Sequence, residues 1–362
     1  MKKIAIVTLY GNSNFGNKLQ NYAIQTVYER LGFEVTTLKI SNADYQKSKS
    51  NVINRGVSVV LANIYMNFIN KNRNLNFKKF NKKYMKNTKR IIYSFSLKNI
   101  NKKYDYFAIG SDQVWNPHFG LKGKIRFLYD INSDKKFSYS ASFGVNDIPQ
   151  EKEHEYENGL NNIKYISVRE DKGKKIVERI TNRKDVEVLI DPTMLLTSEE
   201  WEKVCKKPRK IKNNKYILNY FLGNLSEKRM KEIKKIAKEN DCEIINLLDK
   251  KSPMYNSGPS EFLWLEKNAF LICTDSFHAS VFAILYNIPF VIFDREDNLV
   301  KMNSRIETLI SKLKIKNRMY NEKNITKENL KHDYTEAYKI LEKERKKSIT
   351  FLKKALNIKE SE

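Results

Sequence analysis

The sequence predicts an α/β protein made of two doubly wound parallel-sheet domains facing a cleft, followed by C-terminal helices. Three observations predict it. Apolar strand signals alternate with helical spacing from the start of the chain, MKKIAIVTLYG (Met1–Gly11). A second set of strands resumes after Lys206–Asn214 (KKPRKIKNN), a polar, basic, proline-containing stretch that reads as a linker. Leu271–Asp294 (LICTDSFHASVFAILYNIPFVIFD) reads as strand, polar turn, helix and strand in one run. At 362 residues the chain is long enough for two domains of ordinary size, and the expected divisions are 1–205, 212–325 and a helical segment 326–362.

Ile4–Leu9 is the first strand and Asn17–Leu31 the first helix, with Gly32 closing its C-terminal end. Glu34–Ile40 follows as a strand, and a crossover of that length is the right-handed βαβ unit of a parallel sheet. Ser41–Asn101 is the least regular part. Within it Val57–Ile69 (VSVVLANIYMNFI) has the spacing of an amphipathic helix, read as buried rather than membrane-bound because Asn63 and Asn67 interrupt it. Strand signals return at Tyr104–Ile109, Lys136–Ala141, Lys164–Val168 and Val186–Ile190. The second set is Tyr216–Phe221, Glu243–Leu247, Phe270–Cys273 and Phe290–Phe293, and Asn324–Ile358 has the charged helical spacing of one or two terminal helices.

Composition narrows the function classes. Hydrophobic residues at 41%, with 20 Tyr and 19 Phe, supply a core and exclude wholesale disorder. A net charge of +26 attracts anions. The lysines are nonetheless dispersed among asparagines, as in Lys71–Arg90, and no helix-turn-helix, zinc finger or RNP motif accompanies them. No nucleic-acid partner is expected. Cys205, Cys242 and Cys273 are scattered with no CxxC pair, which points to a reducing compartment and no structural zinc. Cys273 lies within an apolar strand, as packing. The first apolar run is too short for a signal peptide, and no stretch approaches the ~18–20 apolar residues of a membrane span. The expected location is the cytoplasm, with the charge compatible with peripheral contact at the inner membrane face.

Candidate site residues stand at strand ends, where open α/β sheets bind ligands. His278 follows a strand at a helix N-terminus, where backbone N–H groups favour an anion beside an imidazole that moves protons. A hydrogen-bonded core histidine is the competing reading. Gly11–Asn17 (GNSNFGN) is either a structural turn or a ligand loop in which Asn12, Asn14, Gly16 and Asn17 contact substrate. In Ile109–Pro117 (IGSDQVWNP), Gly110 lets the chain turn, Asp112 and Asn116 offer hydrogen bonds and Trp115 a stacking face for a sugar; a loop that locks the fold is the alternative. Arg169 in SVREDK either holds a carboxylate or phosphate or forms a salt bridge with Glu170 or Asp171. Ile190–Thr193 reads as structural. Arg295, Lys301 and Arg305 follow the last strand as cations able to line one pocket.

Taken in order, GNSNFGNKLQNYA, IGSDQVWNP, SYSASFG (Ser138–Gly144), SVRE, LIDPTMLL, GPSEF (Gly258–Phe262), TDSFHASVFAILYNIPFVIF and SRIETLI resemble the polysaccharide pyruvyl transferase family over most of residues 1–315. The resemblance implies a GT-B-like pair of Rossmann-type domains, and transfer of a pyruvyl group from phosphoenolpyruvate to glycan hydroxyls. It places the family's histidine on His278 and its strand-end arginine on Arg169. Many members carry an arginine two places before the histidine. Here that place is Ser276, in the branch with an Asp-Ser-Phe-His motif.

The expected donor site therefore comprises Arg169, the amides of Ser276 and Phe277, and Arg295, Lys301 or Arg305, with His278 as general acid/base. The Asn12–Asn17 and Gly110–Asn116 loops serve the acceptor or the cleft. The partners expected are phosphoenolpyruvate and a glycan acceptor, lipid-linked or otherwise. No metal and no cofactor are expected, since no metal-ligand cluster is visible in the sequence. Two other classes compete: a glycosyltransferase of GT-B type using a nucleotide sugar, and a non-catalytic protein binding polyanions or membrane surfaces.

Overall fold

The computed structural model describes residues 1–10, 13–40, 70–212, 215–296, 304–320 and 325–359. The expected helix Val57–Ile69, together with Gly11, Asn12 and Lys301, lies outside the described residues. The chain divides into two compact units, one drawn from Met1–Tyr65, Asn81–Leu195 and Glu342–Glu362, the other from Met66–Phe80 and Leu196–Leu341.

Unit 1 is built on a parallel sheet of β1 (Lys3–Val7), β2 (Glu34–Thr37), β3 (Tyr106–Asp112), β4 (Lys136–Ala141), β5 (Ser167–Val168) and β6 (Glu187–Val188), in the order β2-β1-β3-β4-β5-β6. Apolar runs such as Ile4–Val7 and Phe107–Ile109 are buried, as both faces of such a sheet require. Ile4 pairs with Val35 on one side and Tyr106 on the other, so the strand order reverses between β1 and β3. That reversal opens a crevice at the strands' carboxyl ends. The helix Phe15–Arg30 starts there, with Asn14 as its cap: Oδ1 accepts from the Asn17 amide at 3.0 Å. Its residues Phe15, Leu19, Ala23 and Val27 recur every fourth position and are buried. The helices Glu153–Asn161 and Asp171–Thr181 complete the crossovers to β5 and β6, and Trp115, Phe127, Phe143 and Tyr156 form the aromatic centre of the core. The second half of the long helix Thr335–Ala355 belongs to this unit: Phe351 packs on Tyr139, and Arg345 Nε donates to the Met194 carbonyl at 2.7 Å.

Unit 2 repeats the principle on four parallel strands, β7 (Tyr216–Tyr220), β8 (Glu243–Asn246), β9 (Leu271–Thr274) and β10 (Phe290–Ile292), in the order β10-β9-β7-β8. The reversal falls between β7 and β9, whose register sets Leu218 opposite Ile272 and Tyr220 opposite Thr274. The helices Glu227–Glu239, Pro259–Lys267 and Phe277–Leu285 connect the strands. Ile217, Ile233, Leu271, Cys273, Val291 and Phe293 share a core. Cys273 is packing, as its strand position implies, and burial pushes its thiol well above the usual range.

The α/β class expected from the sequence is thus present in both units. Differences are local. Lys164–Val168 shortens to Ser167–Val168 because serine hydroxyls take over ladder positions. Ser138 Oγ donates to the Ser167 carbonyl and accepts from its amide, both at 3.0 Å. The helix Lys71–Tyr84, unanticipated in the least regular stretch, buries Arg73, Phe77 and Phe80 on one stripe and presents Lys and Asn elsewhere. Residues 206–212 carry no helix or strand and lie within unit 2, which begins at Leu196. Two helices, Lys327–Leu330 and Thr335–Ala355, occupy the C-terminal stretch.

Candidate active site

In unit 1 the crevice between β1 and β3 is organised around Asp112. The strand arrives through Gly110 at φ 112°, a conformation that disfavours any side chain, and a Cβ there would stand 2.5 Å from the Tyr139 carbonyl oxygen. Asn17 spans the crevice: its Nδ2 donates to the Leu9 carbonyl at 3.0 Å and to Asp112 Oδ2 at 3.2 Å. Thr8, leaving β1, donates its hydroxyl to the Ser111 carbonyl at 2.8 Å.

Arg169 lies beneath this loop rather than at a surface. Its Nη2 contacts Asp191 Oδ2 at 2.8 Å and donates to Ser111 Oγ at 2.6 Å, while Nη1 stands 3.7 Å from Asp112 Oδ1. Of the two readings of Arg169, the structure realises the salt bridge, with Asp191 and Asp112 as partners instead of Glu170 or Asp171. Asp191, within the stretch read as structural, is fixed in turn by Thr193, whose amide and hydroxyl donate to Oδ1 at 2.9 and 2.6 Å. Glu170 turns the other way and accepts from the amides of Phe143 and Gly144. The outcome is a rigid charged support holding Asp112, 13% of whose side chain is exposed, at the strand end.

Two further residues of the same loop are buried. Trp115 is fully buried, its ring against Phe127 and Phe143 and its Nε1 donating to the Arg126 carbonyl at 3.3 Å. Asn116 closes a turn by accepting from the His118 amide at 2.9 Å. The packing of Trp115 is that of the fold-locking alternative. Asn14 caps a helix, and Gly16 is buried in its first turn.

In unit 2 the crevice between β7 and β9 receives the helix Phe277–Leu285. Thr274 donates its hydroxyl to the Tyr220 carbonyl at 2.6 Å and accepts from the Ser276 amide at 3.0 Å. Ser276 is the helix cap, facing the Ala279 amide at 3.5 Å, a role an arginine there would not supply. His278 is buried in the first turn, its ring edge-on to Phe277 at 5.2 Å between centroids. The Arg305 guanidinium sits 5.9 Å from the centre of the Phe277 ring.

Asp275 is the residue the sequence reading missed. Its carboxylate accepts from the Leu222 and Gly223 amides, both at 2.7 Å, and from Arg295 Nε at 3.1 Å. It ties the turn after β7 to the end of β9. Arg295, expected as a donor-binding cation, is thereby bound to a carboxylate of the protein. No sequence spacing announces this, because the amides lie 52 and 53 residues before the aspartate.

Both units carry buried, hydrogen-bonded and ionisable side chains at the reversal points of their parallel sheets. Residues 14–298 match the polysaccharide pyruvyl transferase family, and the chain belongs to that family; it is a transferase. No curated protein sequence matches the chain. Among solved structures it is similar to Methanocaldococcus jannaschii UDP-GlcNAc 2-epimerase in complex with UDP-GlcNAc and UDP, at 17% identity, 95% of this chain, 94% of that chain and TM-score 0.48. Acinetobacter baumannii MurG matches at 12% identity, 96% and 95% coverage and TM-score 0.42. Arabidopsis thaliana UGT89C1 complexed with quercetin matches at 10%, 98% and 97%, and TM-score 0.46. Likeness at this level says nothing about substrate or reaction. Among the described residues no helix is long and apolar enough to cross a membrane.

Proposed function

We propose that the protein transfers a pyruvyl group from phosphoenolpyruvate to two hydroxyls of a cell-envelope glycan or its precursor, forming a pyruvate ketal. The observation that carries this reading is His278 in the first turn of a helix at the unit 2 strand reversal, within a chain of the pyruvyl transferase family. Helix N-termini favour phosphate and carboxylate, and phosphoenolpyruvate carries both. The Phe277 amide and Arg305 are assigned to the donor, with Lys301 as a further cation, while Arg295 sets Asp275 in place. Asp112 and Asn17 are assigned to acceptor hydroxyls. Arg169 is a positioning residue for Asp112.

Ketal formation adds a proton to the donor's methylene carbon and joins an acceptor oxygen to the adjacent carbon. The carbon–oxygen bond to phosphate then breaks, and a second acceptor hydroxyl closes the ring. Of the two hydroxyl protons released, one ends on the new methyl group and one on the departing phosphate. An imidazole, with a reference pKa of about 6.5, serves such transfers at neutral pH. The chain acts from the cytoplasm, at the inner membrane face when the acceptor is lipid-linked, and needs no metal or cofactor.

The test is phosphate release coupled to incorporation of labelled pyruvyl into envelope glycans. His278→Ala is expected to lower the rate about 10²–10⁴-fold. Full activity of that variant would refute the role of His278. Transfer of sugar from a uridine diphosphate sugar, with no phosphate released from phosphoenolpyruvate, would replace the reaction itself.

A further inference from the structure

One cation near the unit 1 crevice has no part in the account above. Lys18 lies in the first turn and a half of the helix Phe15–Arg30, adjacent to Asn17, and only 4% of it is exposed. Side chains in a helix lean toward its N-terminus. The Lys18 ammonium accordingly reaches back toward the strand–helix loop, where it stands 5.0 Å from the centre of the Tyr10 ring. Among the described residues no carboxylate pairs with it. The nearby Asp112 is instead engaged by Asn17 and Arg169. A buried ammonium is normally paired or coordinated, and a ring face replaces only part of its hydration. Burial lowers its pKa to about 8, with no opposing influence from a neighbouring anion. By contrast Lys136, equally buried, donates to the Phe127 and Leu128 carbonyls and is a structural lysine.

The positive end of a 16-residue helix and a largely buried ammonium with no carboxylate partner among the described residues therefore meet at the carboxyl end of β1, next to the acceptor-side residues. We infer that Lys18 binds an anionic group, a phosphate, carried by the acceptor sugar, so that the acceptor class is a sugar phosphate or a phosphate-linked glycan. This rests on the acceptor-side assignment of unit 1 made above. It adds a charge requirement that neutral glycans would not meet.

The experiment measures ligand-induced thermal shifts on the full chain, wild type, Lys18→Met and His278→Ala, with glucose 1-phosphate, inorganic phosphate and glucose as probes. Glucose 1-phosphate is expected to stabilise wild type and His278→Ala alike, and to need at least tenfold more ligand for the same shift in Lys18→Met. Glucose is expected to give no shift. Without ligand, Lys18→Met should melt at or above wild type, since removing an unpaired buried charge relieves the fold; a purely structural lysine would show the reverse. An equal response of Lys18→Met and wild type, no response of wild type, or a lower ligand-free melting point of Lys18→Met would each overturn the inference. Inorganic phosphate acting as strongly as glucose 1-phosphate would overturn the assignment to the acceptor. Phosphoenolpyruvate is titrated separately: if it fails to bind while glucose 1-phosphate binds through Lys18, the pyruvyl reading falls and this site stands.

Discussion

Replacing Asp275 by alanine removes the acceptor of three hydrogen bonds at once, from the Leu222 and Gly223 amides and from Arg295 Nε. Breaking a buried ion pair by deleting one partner costs about 3–5 kcal/mol. Here the two amides are only partly buried and water reaches them in the variant, so we expect about 2–4 kcal/mol, with charged hydrogen bonds contributing about 1.5–3 kcal/mol each in dry surroundings. Asp275→Asn keeps an acceptor oxygen but turns an NH2 group toward donors, and should lose roughly half as much. A global melt would blur the effect, because a two-unit chain need not unfold in one step. Hydrogen exchange resolves it. The amides of 222 and 223, and those of β7 and β9 behind them, should lose protection equivalent to the stated energy, while β1 and β3 exchange as in wild type. Activity should fall with it, because Asp275 directly precedes Ser276, the cap of the helix whose first turn bears His278. Unchanged protection in unit 2 would refute the idea that Asp275 holds the two strand ends together.

Other outcomes follow from single residues. Glu266 is fully buried on the helix Pro259–Lys267, neither carboxylate oxygen has a hydrogen-bond partner among the described residues, and burial pushes its pKa well above the usual range. A carboxyl raised on folding gives stability below its unfolded pKa of about 4.3 that is lost as pH rises toward the folded value. Glu266→Gln should therefore flatten the decline of stability with pH above about 5 and melt higher than wild type at pH 7; a lower melting point at pH 7 would show that the carboxylate is paired after all. Gly110→Ala forces a Cβ toward the Tyr139 carbonyl at positive φ and should cost about 2 kcal/mol or more in urea unfolding, with Asp112 displaced. Chelation is expected to leave turnover intact; loss restored by a divalent ion would contradict the metal-free mechanism.

Much of this architecture was legible because central parallel strands are apolar on both faces, as in KIAIV and LICT. His278 was legible from its place after such a strand. Other features depend on contacts between distant segments. The sequence around Arg169 offered Glu170 and Asp171 as neighbours, yet its partners come from β3 and from Asp191. Trp115 beside a polar turn looked like a sugar platform, but three aromatic side chains from elsewhere in the chain enclose that part of the core. The helix Lys71–Tyr84 escaped notice because one buried stripe, Arg73, Phe77 and Phe80, is diluted by lysine and asparagine.

The most direct test of the central claim is calorimetric titration of phosphoenolpyruvate into the full chain and into His278→Ala, with uridine diphosphate as the rival ligand. Pyruvyl transfer predicts saturable phosphoenolpyruvate binding that weakens at least tenfold in the variant, with no heat from uridine diphosphate. Saturable binding of uridine diphosphate and none of phosphoenolpyruvate would contradict it.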